Sequence, residues 1–197
     1  MCDAMYAMTS GDTPDLTRWL PDPILRSVHR READAPPAAL WSAAGTVTLA
    51  DCRVLGRLVR WRIPGLAADL PYRQLFRAEP FVLLEETASS SVSGLCGQIW
   101  TLRRDYPRLD GPAAFDAWKK PGTVRVIFAH WVEPAGRDRA VLLSEVHIEA
   151  IDSAAGRGVR LVRPLVSAFE RLIDREPLAI AAQRAEASTR RAGGFPA

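Results

Sequence analysis

Two strand-like runs lie close together in the last third of the chain: TVRVIFAHWVE at positions 123–133 and AVLLSEVHIEAI at positions 140–151. Both are dense in β-branched and aromatic residues, and the polar stretch between them is typical of a turn. The segment that follows carries apolar residues at intervals of three and four, as one face of a helix requires. This order of elements predicts an α+β protein in which a curved antiparallel sheet wraps around a long C-terminal helix and leaves an apolar cavity.

The rest of the chain is divided by the same patterns. Further strands are predicted at 24–33, 81–87 and 92–103, and further helices at 38–44, 49–61 and 113–118. Thr48 is expected to cap the helix that begins at Leu49, and Pro164 is expected to kink or restart the C-terminal helix.

The domain organisation is expected to be simple. Residues 1–22 are predicted to be a flexible N-terminal arm, residues 23–187 a single domain and residues 188–197 a flexible tail. A length of 197 residues fits one domain with a sizeable core, and 48% hydrophobic with 25% charged residues is ordinary for a globular protein.

Composition and motifs exclude several classes of protein. A net charge of +3 with mixed signs gives no reason to expect a nucleic-acid partner, and no apolar run is long enough for a membrane span. No leader sequence is apparent, and Cys2, Cys52 and Cys96 lack the spacing of a zinc site or redox pair, so a reduced cytoplasmic setting is expected. No metal and no cofactor is expected, and a homodimer is one assembly that the sequence allows.

Several short stretches share the shape of a known family. They are ADAPPAALW at 33–41, SGLCGQIW at 93–100, the connection 115–122, and LSEVH at 143–147 followed by the helix with Val162-Arg163-Pro164. In these stretches the chain resembles the START-like, or SRPBCC, superfamily, and within it the bacterial polyketide cyclase/dehydrase-like proteins.

The resemblance implies a helix-grip fold with a ligand cavity between the sheet and the C-terminal helix. Two positions depart from the pattern of the most similar members: His147 stands where an arginine is common, and Val159 stands where an aromatic pair is common. A pocket changed at these positions need not keep a relative's ligand. The superfamily contains carriers, enzymes and regulators, so the resemblance leaves the activity open.

His130 is the first candidate site residue. Strict alternation puts it on one strand face with Val126, Phe128 and Val132, and this face is expected to look toward the C-terminal helix. A neutral imidazole there can bind a ligand carbonyl or act as a general base, or it can be a core histidine paired with backbone or water. The predicted ligand-binding residues are Gln98, Trp100, Phe128, His130, Val162, Val166 and Phe169.

Other polar residues are assigned less specific roles. Glu145 and His147 share one side of their strand, and because the opposite side is more apolar, they are expected to face solvent unless a bulge inverts the register. Cys96 is interpreted as a small packing residue. Glu85 and Glu86 must point to opposite faces, so that one of them can enter the cavity, although exposure at the edge of the sheet is the preferred interpretation.

Three functions remain open at this point. The first is binding of an apolar or aromatic small molecule between the sheet and the C-terminal helix. The second is a polyketide cyclase/dehydratase-like enzyme in which His130, with Gln98 or a glutamate, moves a proton. The third is an interaction or regulatory protein that uses the arginines of the C-terminal segment.

Overall fold

Five strands form one curved antiparallel sheet, and the predicted α+β class is confirmed. The computed structural model describes residues 13–101 and 106–193, with the backbone alone described at positions 165–167, 169–171, 173, 174 and 193. The strands lie in the order β1-β5-β4-β3-β2. They are β1 (Leu25–Ala33), β2 (Val82–Glu86), β3 (Ser90–Gly97), β4 (Val124–Pro134) and β5 (Ala140–Ala150).

Helices precede, interrupt and follow the strands. They are α1 (Pro37–Thr46), α2 (Arg53–Arg62), α3 (Tyr72–Leu75), α4 (Pro112–Asp116), α5 (Ser153–Ile173) and α6 (Ala179–Gly193). A π-helical turn, Asp174–Leu178, joins α5 to α6. The predicted helix-grip architecture is confirmed by this order, in which a long C-terminal helical segment follows the closing strand pair of the sheet.

The two faces of the sheet carry different layers. On β4 the helix face is formed by Val126, Phe128, His130 and Val132, and the outer face by Ile127, Ala129 and Trp131. Helices α1, α2 and α6 share an apolar core with residues of the helix face. The outer face is covered by α4 and by the segment before β1.

The segment before β1 has regular structure and buried residues at positions where the sequence pattern predicts a flexible arm. Leu16–Arg18 form a 3₁₀ turn, and Leu16, Trp19 and Leu20 are buried against the outer face of the sheet. Order was expected only from Ile24 because two prolines precede it. Residues 1–12 of the predicted arm lie outside the described residues.

Helix α2 begins four residues later than predicted. The Asp51 carboxylate accepts hydrogen bonds from the Thr48 amide and hydroxyl at 2.8 and 2.9 Å, which closes a local turn instead of starting a helix. The first free amides of the helix, at Val54 and Leu55, donate to the Glu176 carboxylate at 2.9 and 2.7 Å. The cap of α2 therefore comes from the π-helical turn, far away in sequence.

The C-terminal segment is helical for longer than predicted. Pro164 lies inside α5, which is assigned as one helix from Ser153 to Ile173. Asp152 starts this helix, since its carboxylate accepts a hydrogen bond from the Ala155 amide at 2.8 Å. Helix α6 continues to Gly193, past the predicted boundary at residue 188, and buries Ala181, Ala182 and Ala185 in the core shared with α1.

Candidate functional site

A row of polar side chains crosses the helix face of the sheet at the level of His130. Strand pairing places Ser91 of β3 and Ser144 of β5 opposite His130, and Glu86 and His29 continue the row on the edge strands. Opposed residues of antiparallel strands point to the same face. These five residues, here called the polar row, interrupt a face that is otherwise largely apolar.

His130 lies at the centre of the polar row and is almost fully buried. Its ring centre is 4.8 Å from that of Phe76 and 5.7 Å from that of Tyr72. Its Nε2 atom is buried and has no hydrogen-bond partner in the described structure. Burial, together with the nearby positive charge of Arg73, lowers the pKa of His130 to about 3. The imidazole is therefore neutral at physiological pH.

Arg73 brings a partly buried positive charge to the same place. Its guanidinium stacks 3.5 Å from the centre of the Trp41 ring, and its Nη1 donates to the Trp41 carbonyl at 3.5 Å. The nearest carboxylate oxygen is on Glu86, 3.9 Å from Nη2, and that oxygen is in closer contact with Arg77. Arg73 Nε is buried without a partner. Burial lowers the pKa of Arg73 to about 10, which leaves it charged at neutral pH.

A small cavity of about 10 Å³ lies beside His130 and Arg73. A volume of this order holds about one water molecule. Its walls come from α1, α3, β4, β5 and the π-helical turn, and they are formed by Trp41, Ala44, Tyr72, Arg73, His130, Leu142, Pro177 and Leu178. The polar groups of this cavity therefore have room for a single small polar atom or group.

Three phenylalanines adjoin the buried histidine. The ring centres of Phe76, Phe81 and Phe128 are 5.2 to 5.5 Å apart, in edge-on or tilted contacts. Phe128 lies in the middle of the central strand and faces the helices, yet it is only half-buried, as is Phe81. These three residues are here called the aromatic group, of which Phe76 is buried and Phe81 and Phe128 remain partly accessible.

Ser93 adds one more polar atom beside the aromatic group. It lies opposite Phe128 in the β3–β4 pairing and is fully buried. Its hydroxyl has no hydrogen-bond partner in the described structure. Buried polar atoms are almost always paired with protein or water, so Ser93 and His130 both present unused hydrogen-bonding capacity.

A larger groove of about 310 Å³ is lined in part by Phe81. It lies between the α3–β2 connection and the segment 106–110, and it is lined by Arg77, Glu79, Pro80, Phe81, Tyr106, Pro107, Arg108, Leu109 and Asp110. Phe81 belongs both to this groove and to the aromatic group. The groove is thus adjacent to the helix face, although its lining is more polar.

The structure places Gln98 and Trp100 outside this cluster. They were expected to continue β3, but β3 ends at Gly97, whose φ of 144° turns the chain away from the sheet. Gln98 is exposed and donates to the Gly122 carbonyl at 3.0 Å. Trp100 packs with Val159 and Ala155 at the start of α5. The prediction that this strand continues to residue 103 is therefore wrong, and a role of Gln98 and Trp100 in ligand binding stays a prediction.

The helical residues of the predicted site are described only in part. Val162 is half-buried in α5. The side chains of Val166 and Phe169 lie outside the described residues, so a cavity along that stripe of α5 stays a prediction. The residues of the C-terminal helical segment that line the cavity beside His130 are Pro177 and Leu178, from the π-helical turn.

The outer face also carries a buried polar pair. His147 Nε2 and Glu145 Oε1 are 2.6 Å apart, and His147 is 2% exposed. Both residues point away from the helix face, as predicted, but the expected exposure to solvent is wrong for His147. The reason is that segments distant in sequence cover much of this face. Glu85 and Glu86 do separate, since Glu85 accepts from Trp19 Nε1 on the outer face and Glu86 meets Arg73.

The cysteines of the described chain are unreactive in character. Burial is the main cause that raises the pKa of Cys52 and of Cys96 to about 12, so that neither is a thiolate at neutral pH. Cys2 lies outside the described residues. Within the described residues, no three histidine, cysteine or carboxylate side chains come together as a metal site requires. No helix of this part is both long and apolar enough to cross a membrane.

Sequence patterns missed the residues that surround His130. Arg73 and Tyr72 come from a four-residue helix in a stretch for which no helix or strand is predicted, and Ser91 lies just before the predicted strand at 92–103. One signal was available for the serines. Ser91 and Ser93 alternate with the apolar Val92, which is a strand pattern whose serines share one face.

Solved structures similar to this chain include an aromatase/cyclase from a Streptomyces species, which is 16% identical and aligns 87% of this chain with 99% of its own at a TM-score of 0.35. A hypothetical protein from Helicobacter pylori is 9% identical, with 92% and 99% of the two chains covered and a TM-score of 0.39. Norcoclaurine synthase from Thalictrum flavum is 11% identical, with 94% and 98% covered and a TM-score of 0.32.

No family model and no curated protein matches the sequence. The antiparallel strand order and the C-terminal helical segment are those of a helix-grip protein. The structure thus has the helix-grip fold that the resemblance to the START-like, or SRPBCC, superfamily implies.

Proposed function

We propose that the chain binds an apolar or aromatic small molecule between the helix face of the sheet and the C-terminal helical segment. The observation that carries the proposal is the half-buried Phe128 at the middle of the central strand. A large apolar side chain at such a position is normally covered by the opposing layer. Its exposure, beside the polar row, is typical of a binding site in which few polar groups orient an apolar ligand.

The parts of the site have separate roles in this proposal. The aromatic group supplies apolar contact area and edge-on ring interactions for a planar ligand. The unpaired Nε2 of His130 and hydroxyl of Ser93 supply hydrogen bonds that fix its orientation. Because the cavity beside His130 is water-sized, a ring must lie over Phe128 or displace part of the aromatic group.

The second candidate is a cyclase/dehydratase-like enzyme with His130 as acid or base. An effective general base has a pKa near the operating pH. The pKa of His130 is about 3, so the residue holds a proton weakly at neutral pH. This environment favours a role in orienting a ligand over a role in proton transfer.

Native mass spectrometry of freshly purified protein tests the proposal directly, since a retained apolar molecule would appear as an added mass. A titration with 1-naphthamide, followed by tryptophan fluorescence, provides a defined neutral aromatic probe. Phe128→Ala is expected to weaken probe binding by about tenfold, the equivalent of roughly 1.4 kcal/mol of lost contact.

The matched control is Trp118→Ala, which removes a half-buried aromatic ring on the outer face. It is expected to leave the dissociation constant unchanged. No retained molecule together with no saturable probe binding, or equal losses in both variants, would contradict the proposed site.

A further inference from the structure

Arg73 is a partly buried cation with an incomplete set of partners. Its side chain is 18% exposed, and its Nε makes no hydrogen bond. Its nearest carboxylate group, on Glu86, lies at the 3.9 Å limit of an ion pair. A buried charge is costly to maintain unless close, opposite charge and hydrogen bonds compensate it.

Glu86 does not supply this compensation, because two arginines share it. Its Oε1 atom is in much closer contact with Arg77 than with Arg73. The pair of cations and the single carboxylate leave one positive charge in excess. The stacking of Arg73 on Trp41 stabilises the guanidinium and fixes its plane, but it adds no negative charge.

The cavity beside Arg73 contains no acidic side chain in its lining. The side chains of Arg73, His130 and Tyr72 all border it, and the other lining residues are apolar. Arg73 Nε and His130 Nε2 are buried without partners. A neutral imidazole can donate one hydrogen bond from Nε2 in the appropriate tautomer. Arg73 and His130 are thus two neighbours of the same small cavity that each have unused hydrogen-bonding capacity.

We propose that the ligand is an aromatic carboxylic acid whose carboxylate is bound by Arg73, with His130 Nε2 as a second donor. The ring of the ligand then lies against the aromatic group. Guanidinium and carboxylate form the strongest class of protein hydrogen bond, and the ligand would complete the charge balance that Glu86 leaves unfinished. This inference rests on the proposed function, because it names the ligand class of the same site.

The experiment compares 1-naphthoic acid with 1-naphthamide, which share one ring system and differ in charge. Isothermal titration at neutral pH is expected to show the acid binding wild-type protein at least about tenfold more tightly than the amide. Arg73→Gln is expected to bring the ratio of the two dissociation constants close to one. Arg73→Lys keeps the positive charge but lacks the planar guanidinium group, and it is expected to retain part of the preference for the acid over the amide.

Two further variants separate a local effect from general electrostatic attraction. Arg18→Gln removes an exposed arginine that pairs with Glu85 on the outer face, and it is expected to leave the preference unchanged. Glu86→Gln keeps Arg73 in place and removes its partial counter-ion. It is expected to tighten binding of the acid severalfold and to leave binding of the amide unchanged.

The outcomes are distinguishable. If neither probe binds, the proposed function fails. If both probes bind wild-type protein equally, or if Glu86→Gln changes both equally, the function stands and the acidic ligand is ruled out. Should Arg73→Gln not fold, the wild-type ratio and the Glu86→Gln response still decide the matter.

Discussion

His130 combines a buried position with unused hydrogen-bonding capacity. Burial holds its imidazole neutral, and its buried Nε2 has no partner in the described structure. Buried polar atoms are normally paired with protein or water. The unpaired Nε2 is therefore the observation on which the proposed ligand contact of His130 rests.

Replacing His130 with glutamine separates the two candidate functions. Glutamine also carries a donor and an acceptor, so a ligand-orienting role predicts binding within about tenfold of wild type, the range of one neutral hydrogen bond. A proton-transfer role predicts nearly unchanged binding with turnover reduced by about 10²- to 10⁴-fold. We expect the first outcome in titrations with 1-naphthamide. A large loss of turnover on a cyclisable substrate would contradict it.

Ser93 and Ser90 make a matched pair on one strand. Both are buried, but Ser90 Oγ lies 2.8 Å from the Thr87 hydroxyl, whereas Ser93 Oγ has no partner. Without ligand, Ser93→Ala is expected to raise the free energy of unfolding by about 1 kcal/mol, because an unsatisfied buried hydroxyl is removed. Ser90→Ala is expected to lower it by about the same amount.

Urea unfolding of the two serine variants checks this prediction. A loss of stability in Ser93→Ala as large as that in Ser90→Ala would show that Ser93 has a structural partner.

Single positions were predictable where strand alternation continued. The inward direction of Phe128 and His130 followed from the pattern of β4, and it is confirmed by their contacts with Phe76. Gln98 was placed wrongly because one glycine backbone angle ended the strand. Arg73 could not be found from sequence, because its importance depends on a missing counter-charge and not on a motif.

At the scale of elements, helix α2 shows how distant residues decide a boundary. The sequence predicts a helix in this stretch, and Leu55 and Val59 of the observed helix are buried. Its start was misplaced because Thr48 and Asp51 have the composition of a cap but close a turn with each other. Nothing in the local sequence indicates that Glu176 provides the acceptor.

Close packing of α2 depends on Gly56. A Cβ atom at this position would lie 1.9 Å from the Leu49 carbonyl oxygen, which is backbone and cannot turn aside. Gly56→Ala is expected to destabilise the protein by about 1–3 kcal/mol or more. Gly45 of α1 is the control, since an added Cβ there meets only Arg73 Nη1 at 3.5 Å.

Gly45→Ala is expected to be neutral or to stabilise the protein by up to about 1 kcal/mol, as alanine does in a helix. Thermal and urea unfolding of both glycine variants provide the measurement. Equal effects of the two substitutions would mean that α2 shifts freely relative to Leu49.

On the scale of the whole molecule, the buried histidine makes stability depend on pH. The pKa of His130 falls from its ordinary 6.5 to about 3 on folding. Between these values the unfolded chain binds a proton that the folded chain does not, so stability decreases as the pH falls. The stability that depends on a neutral His130 is fully present above about pH 6.5 and is lost progressively toward about pH 3. The free energy of unfolding then falls by at most about 1.4 kcal/mol per pH unit.

The measurement is urea unfolding of wild-type protein and His130→Gln at about pH 5, 6 and 7. The wild-type free energy of unfolding is expected to fall more steeply toward low pH than that of the variant. Parallel curves would show that His130 is hydrated or paired in solution.

The fold was predictable at this scale because the closing strand pair and the long helical segment have strong local patterns. The covering of the outer face was not, since Leu16, Trp19 and Phe115 reach it from different parts of the chain. Strand alternation identifies two faces. It does not state how much of the second face other segments will bury.

The π-helical turn connects the cavity beside His130 to helix α2. One side of the turn presents Pro177 and Leu178 to the cavity, and Glu176 beside them holds the amides of Val54 and Leu55. A ligand that displaced the turn would therefore change the hydrogen bonds between Glu176 and α2 without touching α2. Hydrogen exchange at those two amides is expected to change when a ligand binds to wild-type protein and to stay constant in Glu176→Ala. Occupation of the cavity would then alter α2, whose residues Val54, Leu58 and Trp61 are exposed on the surface.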